Sequence, residues 1–111
     1  MDNLHILWVS DNKDTAVNMI AMYALNSMKN NWWKNVNVII WGASAKLIAE
    51  DSQVQTEIFE MISQGIRVEA CKACCDNLEV SEKLTGFGIV VRYMGKQLTD
   101  YIKSGDKILT I

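Results

Sequence analysis

The sequence predicts an α/β protein: a three-layer α/β/α sandwich around a mostly parallel, five-stranded sheet. Three observations predict it. Short continuous apolar runs alternate with stretches in which apolar residues recur every three or four positions. The last three apolar runs each follow a glycine that closes a helical stretch. Strands that alternate with helices are joined by crossovers, and crossovers build parallel sheets.

Each element can be justified in order. "HILWVS" (5–10) is a short apolar run, as expected of a strand buried on both faces. "DNKD" is a polar loop, with Asp14 the expected N-cap of a helix over 15–29. That helix carries Val17, Ile20, Ala21, Ala24, Leu25 and Met28 at amphipathic spacing. "NVNVIIWG" (35–42) reads as the second buried strand, and "AKLIAED" as a short helical turn. Ser52 and Gln55 then match an S-x-x-Q capping box, ahead of Val54, Ile58, Met61 and Ile62 on one helix face. Gly65 precedes "IRVEAC", Gly88 precedes "IVVRYM" and Gly105 precedes "DKILTI". Helical stretches over 72–86, with a break expected near Glu79, and over 96–104 complete the pattern.

The chain has 111 residues, half of them apolar, which fits one domain over 1–111 with a real core. A net charge of −2 and a pI of 5.3 argue against nucleic acid as a partner. No apolar run reaches the length of a membrane span, and "MDNLHILWVS" lacks the basic start of a signal peptide. A cytoplasmic location is therefore expected. There is no proline, no linker and no low-complexity tract.

All three cysteines fall within "RVEACKACCDNL" (67–78). Their odd number fits poorly with a disulfide framework, and in a reducing cytosol such a cluster points to thiol or metal chemistry. In open α/β sheets, ligands bind at the carboxyl ends of the strands. Those ends fall at 10–14, 41–44, 71–75 and 93–95. Around Cys71 the expected lining is Ser10, Asp11, Asn12, Gly42, Ser44, Lys72, Cys75, Met94 and Gly95. Cys71 ends a strand where a helix begins, and backbone N–H groups with the positive helix end favour a thiolate there. Lys72 adds positive charge, against Glu69 and Asp76. Cys74 completes a C-x-x-C pair and is at resolving distance. Three readings stand: thiol chemistry led by Cys71, small buried core residues, or a metal site. A closed zinc site needs a fourth ligand, and His5 sits at the wrong end of its strand, leaving Asp76 or a second subunit. Neither a metal nor a cofactor is the expectation.

"VEACKACCDNLEV", followed by "LTGFGIVVRYMGKQLTDYIKSGDKILTI", resembles the DsrE/DsrF-like family, in particular its small YchN-like single-domain members. The resemblance spans nearly the whole chain. Its most specific parts are the Cys-x-x-Cys turn after the third strand and the closing "SGDKILTI". It implies a three-layer α/β/α domain assembled as a homotrimer or a homohexamer of stacked trimers. It also implies a sulfur relay in which one cysteine, here Cys71, carries a persulfide between donor and acceptor proteins. This chain departs from the relay subunits in having three cysteines. The alternative is a non-enzymatic, oligomeric small-ligand or protein-binding module with structural cysteines.

Other residues carry weaker expectations. Trp8 and Trp41 belong in the core, whereas Trp32 and Trp33 are candidates for an interface or for capping the helix against the sheet edge. "SDNKDT" (10–15) lacks the glycines of a phosphate loop. Asp100 is expected outside and Tyr101 half-buried. No Ser-His-Asp set is in prospect, since His5 is poorly placed for a general base.

Overall fold

The structure, a computed structural model, describes residues 2–111. Five strands, β1 (Asn3–Trp8), β2 (Asn35–Ile40), β3 (Arg67–Cys71), β4 (Val90–Arg92) and β5 (Lys107–Thr110), form one sheet. The order is β4-β3-β2-β1-β5 and every pairing is parallel. Between β1 and β2 run α1 (Lys13–Thr15), a π-helical stretch (Ala16–Ala21) and α2 (Met22–Lys29). Between β2 and β3 come α3 (Ala43–Glu50) and α4 (Ser52–Ser63). Between β3 and β4 come α5 (Lys72–Asn77) and α6 (Ser81–Gly86), and α7 (Gly95–Lys103) leads to β5. No helix among the described residues is long and apolar enough to cross a membrane.

Right-handed crossovers decide where the helices go. The steps β1→β2→β3→β4 all move the same way across the sheet, so their helices share one face. The step β4→β5 moves back past the whole sheet and puts α7 alone on the other face. The alternating strand residues follow. Ile6, Trp8, Val38, Ile40, Val68 and Ala70 point into the main core with Ile20, Ile48, Ile58 and Leu84. Ile39 and Cys71 point the other way, into a small cluster with Met94, Leu98 and Tyr101. Each fully buried aliphatic side chain of the main core contributes roughly 1.5–3 kcal/mol through the water it leaves.

The glycine punctuation works as helix termination. Gly65 and Gly88 both have φ 89°, and the next residue donates back to the helix: Ile66 N–H to Met61 O (3.0 Å) and Ile89 N–H to Leu84 O (3.3 Å). The αL residue turns the chain and buries Ile66 and Ile89, which anchors the coming strand. The expected break near Glu79 is present. Glu79 itself has φ 59°, and Val80 N–H bonds to Cys75 O (2.9 Å).

Two capping assignments need correction. The first helix is capped by Asn12, whose Oδ1 accepts from Thr15 N–H (2.9 Å), while Asp14 lies inside the first turn. The S-x-x-Q box does not form. Asp51 is the cap, its Oδ1 accepting from Val54 N–H (3.0 Å). Gln55 instead donates backwards to the carbonyls of Ile48 and Ala49, satisfying the end of α3.

Candidate functional site

β3 and β4 are neighbours whose carboxyl ends lead to opposite faces, β3 into α5 and β4 into α7. That is the switch point of the sheet, where α/β folds open a crevice. Cys71 is the last residue of β3 and pairs in register with Arg92. It is 5% exposed, in the α7-side cluster with Ile39 and Met94. Cys74, one turn along α5, is half-buried, and its thiol donates to Cys71 Sγ at 3.0 Å. Both are free thiols. A disulfide needs about 2.05 Å between sulfurs, so closure asks for about 1 Å of movement.

The three cysteines separate cleanly. Cys71 and Cys74 belong to the α7-side cluster, while Cys75 is fully buried in the main core on the opposite face. Burial, with Cys71 and Cys74 beside it, pushes the Cys75 thiol up to about 11. Cys71 also departs from the thiolate-favouring expectation. Burial pushes its thiol up, and the Cys74 thiol adds to the rise. The backbone N–H groups of Cys74 and Ala73 pull downward without prevailing. The physical reason is that α7 closes over the strand end and removes the water a thiolate needs.

The other expected lining residues are spread out. Met94 is 1% exposed and packs with Cys71, and Gly95 starts α7 at the surface. Lys72 turns outward to Asp76 (2.7 Å), with Nζ 5.6 Å from the Tyr93 ring. Ser10 Oγ accepts from Asn12 N–H (3.1 Å) in the β1 loop. Asp11 lies with Ala43, Lys46 and Glu50 in a separate shallow depression. Gly42 makes a left-handed turn (φ 69°). Ser44 is fully buried, its hydroxyl donating to Trp8 O (2.7 Å) and accepting from Trp41 N–H (3.1 Å). That bond ties α3 to the ends of β1 and β2. Among the described residues no group of three or more His, Cys, Asp or Glu side chains is close enough to hold a metal ion.

A second polar constellation lies on the α7 face. Glu69 is fully buried. Its Oε1 accepts from Arg92 Nη2 and forms an ion pair with Arg67 Nη2 (3.0 Å), and its Oε2 accepts from Asn37 Nδ2 (3.0 Å) and the Tyr101 hydroxyl (2.8 Å). Burial alone raises a carboxyl, but these four partners outweigh it and hold Glu69 below the usual range. Asn37 gives its other N–H to His5 Nδ1 (3.0 Å), so His5 Nε2 carries the proton and donates to Asp106 Oδ2 (2.8 Å). The His5 and Tyr101 rings stack at 3.9 Å. Sequence reasoning missed this network. The available signal was one polar residue in each of three apolar strands, at "HIL", "VNVII" and "VEAC".

Together the doubly wound, all-parallel sheet and the single helix on one face define a small α/β protein of the YchN-like fold. The ychN protein from E. coli superposes with a TM-score of 0.72 over 100% of both chains at 17% identity. The particular family follows from a second structure. The conserved protein of unknown function BT1422 from Bacteroides thetaiotaomicron is 60% identical over 99% of this chain and 95% of its own, with a TM-score of 0.97. The chain belongs to the family of BT1422. No protein-family model and no curated protein matches it.

Proposed function

We propose that the protein is a DsrE-like sulfur-carrying thiol protein that works through Cys71 and Cys74. The observation that carries this reading is the 3.0 Å thiol pair at the switch point of the sheet. The Cys71 thiolate attacks the outer sulfur of a donor persulfide, the donor thiolate leaves, and Cys71–S–SH remains. An acceptor thiolate can then take the outer sulfur and restore Cys71. Alternatively, Cys74 attacks the inner sulfur, forming a Cys71–Cys74 disulfide and expelling hydrosulfide; a dithiol reductant resets the pair. Because burial holds the Cys71 thiol up, sulfur loading increases as the pH rises above neutral. This chemistry belongs in a reducing cytosol, where thiols stay unpaired.

The test is to treat the reduced protein with sodium polysulfide and measure its intact mass. The wild type gains the mass of sulfur or, where Cys74 resolves the persulfide, ends as the Cys71–Cys74 disulfide, and Cys71→Ser does neither. A wild type with neither the adduct nor the Cys71–Cys74 disulfide, or an adduct that survives Cys71→Ser, refutes the relay. One observation favours the alternative reading, a binding module with structural cysteines: Cys71 is buried and its thiol is raised. Failure of sulfur loading at alkaline pH selects that reading.

The same reading includes a homotrimer or homohexamer. α7 alone covers its face of the sheet; its own Ile102 is 58% exposed, and Val90 and Tyr93, just before it in the chain, are 43% and 70% exposed. Apolar surface of this kind is usually covered in an assembly. Sedimentation velocity should find trimers or hexamers at micromolar concentration, and a monomer there contradicts the assembly.

A further inference from the structure

At the amino ends of the strands, on the α7 face, a cleft of about 310 Å³ is lined by Asn3, His5, Asn37, Arg67, Tyr101 and Asp106 among others. That volume is at the lower end of the range of about 300–1,000 Å³ for small-molecule sites. The cleft lies at the opposite end of β1, β2 and β3 from Cys71, so it is a separate place from the thiol pair.

Its walls are rigid and chemically two-sided. His5 and Asn37 are 6% and 7% exposed, and their donors and ring nitrogens are consumed by Asp106 and Glu69 and by each other. One strong acceptor is left over: Asn37 Oδ1 is buried and has no partner among the described residues. An unpaired buried carbonyl is costly, and a ligand N–H that reaches it recovers that cost. The charges are also unbalanced in a useful way. Arg67 and Arg92 share one carboxylate, Glu69, leaving one positive charge in surplus. Arg67 is the more open of the two, with its side chain 55% exposed and held to Glu69 only by an ion pair, so its guanidinium N–H groups are open to a ligand. Asp106 supplies a carboxylate on the other side, already oriented by His5 and Asn3.

An anion alone would meet Asp106, and a cation alone would meet Arg67. A molecule with both charges satisfies both. We propose that this cleft binds a small zwitterion of the α-amino-acid class, with its carboxylate on Arg67 and its ammonium between Asn37 Oδ1 and Asp106. This proposal does not depend on the sulfur reading.

The test is a ¹⁵N-NMR titration of the full chain with each standard L-α-amino acid, with acetate and methylammonium as half-ligands. At least one amino acid should give saturable shifts at the amides of Asn37, Gly65, Arg67 and Asp106, and neither half-ligand should match it. Arg67→Ala and Arg67→Gln should each weaken binding at least tenfold, while Cys71→Ser leaves it unchanged. Arg92 remains on Glu69 in both Arg67 variants, and the dispersion of the same spectra reports their folding. The proposal is overturned if no amino acid saturates, if acetate binds as tightly, or if a folded Arg67 variant binds like the wild type.

Discussion

At the scale of single residues, Glu69 shows how a charge is kept in a sheet interior. A carboxylate without water is costly, and removing the partners of a buried ion destabilises by about 3–5 kcal/mol. Here two guanidinium groups, an amide and a phenol replace the water. Glu69→Ala should therefore lower stability by about 3 kcal/mol, the low end because both arginines still reach solvent. The pH dependence follows from the direction of the shift. Glu69 is held below its usual value of 4.5, so the stability it supplies is full above that value. It is lost as the pH falls through the lower, folded value. Urea denaturation should show Glu69→Gln far less stable than wild type at neutral pH and nearly equal to it in acid well below 4.5. A gap that stays constant across that range contradicts the account.

At the scale of elements, much was legible. The helical stretch over residues 15–29 and the helix carrying Val54, Ile58 and Met61 could be read because one-sided burial needs a helical period, although residues 16–21 wind as π-helix rather than α-helix. The three strands after Gly65, Gly88 and Gly105 could be read because a positive φ, here 85–89°, lets the chain leave a helix that way and glycine adopts it without strain. Caps were less legible, because several polar residues stand side by side at each helix start. Asp51 displaces Ser52 by being one residue earlier, with a charged acceptor facing the N-terminal N–H groups. The Glu69 network was not legible. A period of two shows which residues share a face, but only the register that sets Asn37 beside His5 and Arg67 brings the polar residues together. The raised Cys71 thiol was hidden for a similar reason: α7, from a distant part of the chain, buries it.

At the scale of the whole molecule, the order β4-β3-β2-β1-β5 sorts the chemistry by face and by end. The three connections that run one way share one face, and the return through α7 leaves the other thinly covered. The carboxyl end of that second face holds the thiol pair, and its amino end holds the polar cleft. Three cysteines within five positions are divided the same way, two beneath α7 and one in the main core. On the proposed sulfur-carrying function, Cys71 and Cys74 form one working dithiol while Cys75 is inert. Peptide mapping after mild oxidation of the native protein and alkylation in denaturant tests it most directly. The prediction is a single Cys71–Cys74 disulfide, with Cys75 recovered as the alkylated free thiol. A disulfide to Cys75, or three free thiols after oxidation, contradicts it.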